Sequence, residues 1–307
     1  MKYLVTGGAG FIGSNLTEQL LKEGHDIIVV DDLSSGFIQN LAGDLNLKFI
    51  KAKIQDTNFE QFKNIEGIFH LAAQASVPVS IDNFNSSSIN NLASSIYVFE
   101  IAKTFKIPVV YASSSAIYGN LPVGDDEKIE FDILSPYALD KLTIENYAKL
   151  CFQLYNISSF GLRFFNVYGP KQDPNNSYSG VISVFIGRFM QKKPVNINGG
   201  FQTRDFIFVR DIVNVLIKSM KTIEKKRQFN FSNVGTGVEI TIDALFEKLA
   251  EIFNYRPEIV RKPLPAGDPE RSSGTYKKLF RELKIKPGDF TKFDSGLRET
   301  VNYFKNL

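Results

Sequence analysis

The chain has 307 residues and a formal charge of +3 spread along its length, enough for a large core or two modest domains. A single cysteine, Cys151, excludes an internal disulfide; two histidines argue against a zinc site; and no basic stripe interleaved with aromatics suggests nucleic acid. The chain enters a strand at Tyr3, leaving no room for a signal peptide, and no apolar run nears membrane-spanning length, so a cytoplasmic protein without membrane contact is expected.

Short β-branched runs alternate with longer amphipathic stretches through the first half. The runs are 3–6, 26–30, 48–50, 67–71, 109–112 and 160–164, which predicts an α/β fold: a doubly wound parallel sheet covered by helices on both faces. After the first run comes Thr6-Gly7-Gly8-Ala9-Gly10-Phe11-Ile12-Gly13, where glycine permits a tight turn and a close approach to a pyrophosphate at the helix start. Asp31 ends the second strand about twenty residues later, placed to accept hydrogen bonds from an adenosine ribose and to repel a 2′-phosphate. The pair predicts a Rossmann domain that takes NAD in preference to NADP. Stripes such as Ile12, Leu16, Leu20 and Ile96, Phe99, Ala102 are read as core.

Ser113-Ser114-Ser115 closes the fifth strand, and Ser135-Pro136-Tyr137-Ala138-Leu139-Asp140-Lys141 opens the helix that follows. Tyr137 and Lys141, four apart, share one helix face, where the ammonium can lower the phenol's pKa and fit it for proton transfer. Such a pair also arises by chance with the tyrosine packed and the lysine solvated. It carries weight here because the glycine loop and the serine cluster accompany it. Past Asn166 a polar stretch, 169–178, begins a second, smaller α/β region. The division expected is 1–168, rejoined by about 203–233 through Phe206–Val209 and Phe229–Ser232, against 169–202 with 234–307.

Gly7, Gly10 and Gly13, the serine cluster and Tyr137-x-x-x-Lys141 together resemble the extended short-chain dehydrogenase/reductase family, and within it the UDP-sugar 4-epimerases. Further matches reach the C-terminal third: His70-Leu-Ala-Ala73, Tyr118-Gly119, Arg163 through Pro170, Thr203-Arg-Asp-Phe206 and Gly267-Asp268. The resemblance implies that Tyr137 takes the sugar 4-hydroxyl proton while C4 passes hydride to the nicotinamide. Lys141 would hold the nicotinamide ribose, and Ser114, with Ser115 as its nearest rival, would bond the 4-oxygen. It places Asp31, Asp32, Leu33, Ser34, Ser35 and Gly36 around the adenosine ribose, and Leu71, Ala72 and Ala73 along the dinucleotide, with Asn90 supporting the site and Ile54 on the adenine side. For a UDP-sugar it implies Asn166 and Arg204 at the diphosphate, Asp268 at the uridine ribose and Val181 beside them, which makes 169–202 and 234–307 the UDP-sugar region. It further implies a homodimer built on a four-helix bundle from the helices around 87–105 and 137–155, with Ile96, Phe99, Tyr147 and Leu150 able to serve that face.

The departures bear on the substrate. Lys51-Ala52-Lys53-Ile54 stands where such epimerases carry an acidic residue, and Pro265-Ala266 replaces an arginine, so a diphosphate contact would be lost or supplied by Arg271. Ser115-Ala116 after Ser114, in place of an Asp-Glu pair, argues against dehydration. Ser272 is small where a bulky residue excludes N-acetyl groups, which puts UDP-GlcNAc and UDP-GalNAc slightly ahead of UDP-Glc and UDP-Gal; Ser76 is a candidate contact to the substituent. The alternatives are epimerisation or decarboxylation of UDP-glucuronate, for which Arg271 is the available cation, and a non-catalytic NAD sensor.

Overall fold

The computed structural model describes residues 1–41, 43–175, 179–264 and 269–307. Seven parallel strands form the main sheet, in the order Leu47–Lys51, Asp26–Asp31, Lys2–Thr6, Gly67–His70, Val109–Ser114, Ser159–Phe164, Phe229–Val234. The chain moves outward from the first strand, then returns to its other side at Gly67. That reversal opens a crevice at the carboxyl ends of the strands, where the glycine loop and the serine cluster emerge.

Both faces of this sheet are covered, which is why its strands read as unbroken apolar runs. Val5, Val29, Phe69 and Val110 pack with Leu16 and Leu20 of helix Phe11–Lys22 and with Ile212 and Leu216 of helix Val209–Lys225. Their neighbours Leu4, Ile28, Ile68 and Val109 point the other way, onto Val98 and Ala102 of helix Phe84–Phe105 and Ile144 and Ala148 of helix Pro136–Tyr155. Phe99 belongs to this core and is 3 % exposed, so it is not part of an outer face; Ile96, Tyr147 and Leu150 are exposed.

Of the two segments expected to rejoin the main sheet, Phe229–Val234 does so as its seventh strand. Thr203–Phe208 instead enters a second sheet, flanked by Glu239–Thr241 and Arg271–Ser272 and paired also with Asn166–Tyr168. The physical reason is its aromatic side: Phe206 and Phe208 pack against Tyr168, and Phe206 stacks on Phe293, in the core of the smaller region. The chain then returns to the first sheet as helix Val209–Lys225. No helix among the described residues is long and apolar enough to cross a membrane.

Candidate active site

A cavity of about 1020 Å³ lies over the crevice, lined by residues of both regions. At one end sits the glycine loop. Gly7 has a φ of 68°, and a Cβ there would fall 2.7 Å from the Ala72 amide nitrogen; at Gly13 a Cβ would lie 2.1 Å from the Gly7 carbonyl oxygen. Only glycine lets the helix start press this closely on the loop. No side chain caps helix Phe11–Lys22 at Gly10. The first-turn residues Phe11, Ile12 and Gly13 line the cavity, so their amides and the positive helix end suit a pyrophosphate.

Asp31 clamps this loop. Its carboxylate accepts the Ala9 amide at 3.0 Å and the Leu33 amide at 2.8 Å while still bordering the cavity. Burial pushes its carboxyl above the usual range, opposed by those same amides. Asp32, Ser34, Ser35, Ile54, Leu71, Ala72, Ala73 and Asn90 also line this end. Leu33 and Gly36 do not: Leu33 adopts a φ of 61° that turns its amide onto Asp31, and Gly36 packs on the Ala9 backbone. A cradle closed to any Cβ, an uncapped helix start and an acid at the end of the second strand fit NAD.

Ser135 caps helix Pro136–Tyr155, its Oγ accepting the Ala138 amide at 3.2 Å, and Pro136 starts the first turn. This delivers Tyr137 to the cavity beside Ser114, which pulls the phenol's pKa down. Ser115 lines the cavity as well, while the Ser113 hydroxyl donates to buried Glu145 at 2.5 Å. Lys141 Nζ donates to the Ala112 carbonyl at 2.9 Å and stands 5.6 Å from the Tyr137 ring centre. The expected lowering of the phenol's pKa is nevertheless overturned: burial raises it by more than Ser114 lowers it. Burial likewise drives Lys141 down to about 8, opposed by the negative fields of Asp140 and Glu145.

Lys141 therefore links stability to pH. Its folded pKa of about 8 lies below the value of about 10.4 in an unfolded chain. Between these values the unfolded chain binds more protons, so this group's contribution rises with pH through the window and is lost as pH falls through 8. Urea unfolding should show wild type gaining on Lys141→Met from pH 7.5 to 10.5, by up to about 3 kcal/mol. Parallel curves would show that Lys141 is solvated.

Tyr137, Lys141 and Glu145 form one stripe, and strand residues 112–114 meet all three. Glu145 was not legible as part of the site. It accepts a fork from Arg163, at 2.8 Å from Nε and 2.6 Å from Nη2, while Arg163 Nη1 donates to the Tyr118 hydroxyl at 2.7 Å and the guanidinium lies 4.2 Å from the Phe231 ring centre. A second buried chain runs through His70. Thr6 Oγ1 takes the Leu71 and Ala72 amides, and Ser95 donates to the Asn91 carbonyl. The partners thus assign a neutral imidazole that accepts from Thr6 at 2.7 Å and donates to Ser95 at 2.9 Å. Burial keeps it neutral, with its pKa down at about 3. Asn91, next to the expected Asn90, fixes the loop at Gln74 and donates to Asp140 at 3.0 Å.

At the other end of the cavity are Asn166, Val181, Arg204, Arg271 and Ser272. Arg204 donates to the carbonyls of Thr203 and Pro269, both at 2.8 Å, and Asn166 to that of Asp205 at 3.2 Å. Asp268 lies outside the described residues. Ser76 is not a lining residue: its hydroxyl caps helix Val77–Asp82 by accepting the Val79 amide. Arg271 reaches the rim, but its guanidinium is taken by Glu239. No cluster of three His, Cys, Asp or Glu suited to a metal ion occurs among the described residues.

Residues 3–235 match the NAD dependent epimerase/dehydratase family. A protein of Methanocaldococcus jannaschii named putative UDP-glucose 4-epimerase is 35 % identical over 99 % of this chain and 98 % of its own length. Among solved structures, the UDP-N-acetylglucosamine 4-epimerase of Methanobrevibacter ruminantium, in complex with UDP-N-acetylmuramic acid, superposes with a TM-score of 0.92 at 34 % identity, covering 99 % of this chain and 98 % of that one. The UDP-glucose 4-epimerase of Thermotoga maritima with UDP-glucose gives 0.91 at 34 % identity, covering 100 % and 99 %.

Proposed function

Because this chain belongs to the NAD-dependent epimerase/dehydratase family, we propose that it inverts C4 of a UDP-hexose through a transient 4-keto sugar, with UDP-GlcNAc and UDP-GalNAc ahead of UDP-Glc and UDP-Gal. The observation that carries the reading is that Ser114 and Tyr137 line one cavity, close enough for Ser114 to pull the phenol's pKa down, and that the two ends of this cavity suit a dinucleotide and a nucleotide sugar. NAD, when bound by the glycine loop and Asp31, supplies a reversible acceptor for the C4 hydride. Tyr137 Oη takes the proton of the 4-hydroxyl and returns it after the sugar has turned over. Ser114 Oγ bonds the 4-oxygen in both orientations, and that bond strengthens as negative charge develops there. Lys141, held on the Ala112 carbonyl, keeps a positive charge within reach of the ring face of Tyr137 at neutral pH. The nucleotide is anchored at Asn166 and Arg204, so that the hexose alone has to rotate.

Preference for the N-acetyl sugars is supported by the small, cavity-lining Ser272 and by the name of the M. ruminantium protein. The purified protein, incubated with UDP-GlcNAc and separately with UDP-Glc and followed by proton NMR, is expected to epimerise both, the N-acetyl sugar faster. Ser272→Tyr should cut turnover of UDP-GlcNAc by about tenfold more than that of UDP-Glc, the range of a pocket that loses room for a small group. Equal losses remove Ser272 from substrate choice, and no change in either sugar sinks the 4-epimerase reading. The same reading extends to assembly. Exposed Ile89, Ile96, Tyr147, Leu150 and Leu154 on the two long helices would bury one another in a second copy, which sedimentation at the dimer mass would bear out.

A further inference from the structure

Among the described residues, Arg271 is, with Arg204, one of two cations at the nucleotide-sugar end of the cavity, and it already holds a carboxylate. Arg271–Ser272 and Glu239–Thr241 flank Thr203–Phe208 on opposite sides. Across that strand Arg271 Nε lies 2.9 and 2.8 Å from the two oxygens of Glu239, and Nη2 lies 2.5 Å from the first. Glu239 is itself fixed from a second direction, accepting the Thr203 hydroxyl at 2.7 Å. The Arg271 fork holds Glu239 below the usual carboxylate range, with Thr203 and Ser273 pulling the same way. Ser272, next in sequence to this compensated pair, lines the cavity.

We infer that Glu239 is a specificity-determining residue, which occupies Arg271 and so selects sugars without a carboxylate over uronates. The inference rests on the nucleotide-sugar reading of the site. Glu239 takes the Nε–Nη2 edge of the guanidinium, one of its two planar donor edges, and compensates its charge. A uronate must either displace a partner that Thr203 already orients, leaving that partner an uncompensated negative charge, or dock on the Nη1 edge beside that same negative charge. A neutral hexose or N-acetylhexosamine meets neither obstacle. The same geometry separates this chain's rim from a glucuronate site, for which Arg271 would have to be available.

The test measures binding, so it does not require turnover. Dissociation constants for UDP, UDP-glucose and UDP-glucuronate are obtained by calorimetry on the NAD-loaded wild type, Glu239→Gln and the Glu239→Gln/Arg271→Gln double variant. Glutamine keeps the acceptor for Thr203 while removing the charge, and both side chains reach the surface, so the fold is not at stake. The expected result is UDP-glucuronate binding about tenfold tighter to Glu239→Gln, UDP and UDP-glucose changing less than about twofold, and the gain vanishing in the double variant. Unchanged affinity for UDP-glucuronate overturns the inference. Equal tightening of all three ligands overturns it too, because Arg271 then reads the diphosphate. A protein that binds UDP-glucose but epimerises no neutral UDP-sugar refutes the proposed reaction and leaves the Glu239 result standing, whereas one that binds none of the three refutes both.

Discussion

Replacing Tyr137 with phenylalanine is expected to lower turnover of the UDP-sugar by a factor of about 10³ or more while leaving NAD bound. The substitution removes one oxygen from a side chain that is 8 % exposed, so packing is retained and the stability loss is small, about 1 kcal/mol. What disappears is the proton path, because the Ser114 and Ser115 hydroxyls on the lining are far weaker acids than a phenol, while those of Ser113 and Tyr118 are engaged by Glu145 and by Asn233 and Arg163. Lys141 and the glycine loop are untouched, so titration with NAD should give a dissociation constant close to that of wild type. Single-turnover measurements under saturating UDP-sugar separate the chemical step from release. A variant that turns over at more than a tenth of the wild-type rate would remove Tyr137 from proton transfer. One that also loses NAD would mean the ring holds the cofactor site together, a structural role.

The second large effect concerns the buried pair beneath that tyrosine. Arg163 is 1 % exposed and Glu145 is 4 % exposed, and the two share a fork with the Ser113 and Tyr118 hydroxyls as additional partners. Arg163→Met leaves the Glu145 carboxylate buried with Ser113 alone, and should cost about 3–5 kcal/mol of stability. The double variant Arg163→Met/Glu145→Leu removes both charges and is expected to recover a substantial part of that loss, since the desolvation of two ions is no longer incurred. Urea unfolding of wild type, both single variants and the double variant gives the coupling directly. A loss below about 1 kcal/mol in Arg163→Met would show that water reaches Glu145. The pair also links function to fold, because Glu145 is the third member of the stripe that carries Tyr137 and Lys141.

The features legible in the sequence are those whose physics is local. A run such as Asp26–Asp31, apolar at every inner position, has to be a strand buried on both faces, and a loop that tolerates no Cβ at Gly7 and Gly13 has to be glycine wherever it folds. Tyr137 and Lys141 lie on one helix, so their approach follows from spacing alone. What escaped reading depends on partners distant in sequence. Glu239 stands 32 residues from Arg271, and nothing near either residue announces the pair. Ser76 was offered as a substrate contact, but a serine at the first turn of a helix satisfies its own backbone first. Ile96 and Phe99 differ in fate because three residues carry the chain only about 60° short of a full turn, so a single stripe straddles the boundary between core and surface. Likewise Asn90 faces the cavity while its neighbour Asn91, indistinguishable by residue type, is the one that ties Gln74 to Asp140.

Helix Pro136–Tyr155 carries Tyr137, Lys141 and Glu145 on the side toward the sheet and exposed Leu139, Tyr147, Leu150 and Leu154 on the other. Because each residue advances the helix by about 100°, one codon deleted between Lys141 and Tyr147 would swing Tyr147, Leu150 and Leu154 by that angle relative to Tyr137. Inserting seven codons instead keeps the phase to within roughly 20°, but lengthens the helix by about two turns. This segment of the gene can therefore vary in letters but hardly in length, whereas the exposed stretch 127–130 just upstream can absorb insertions and deletions.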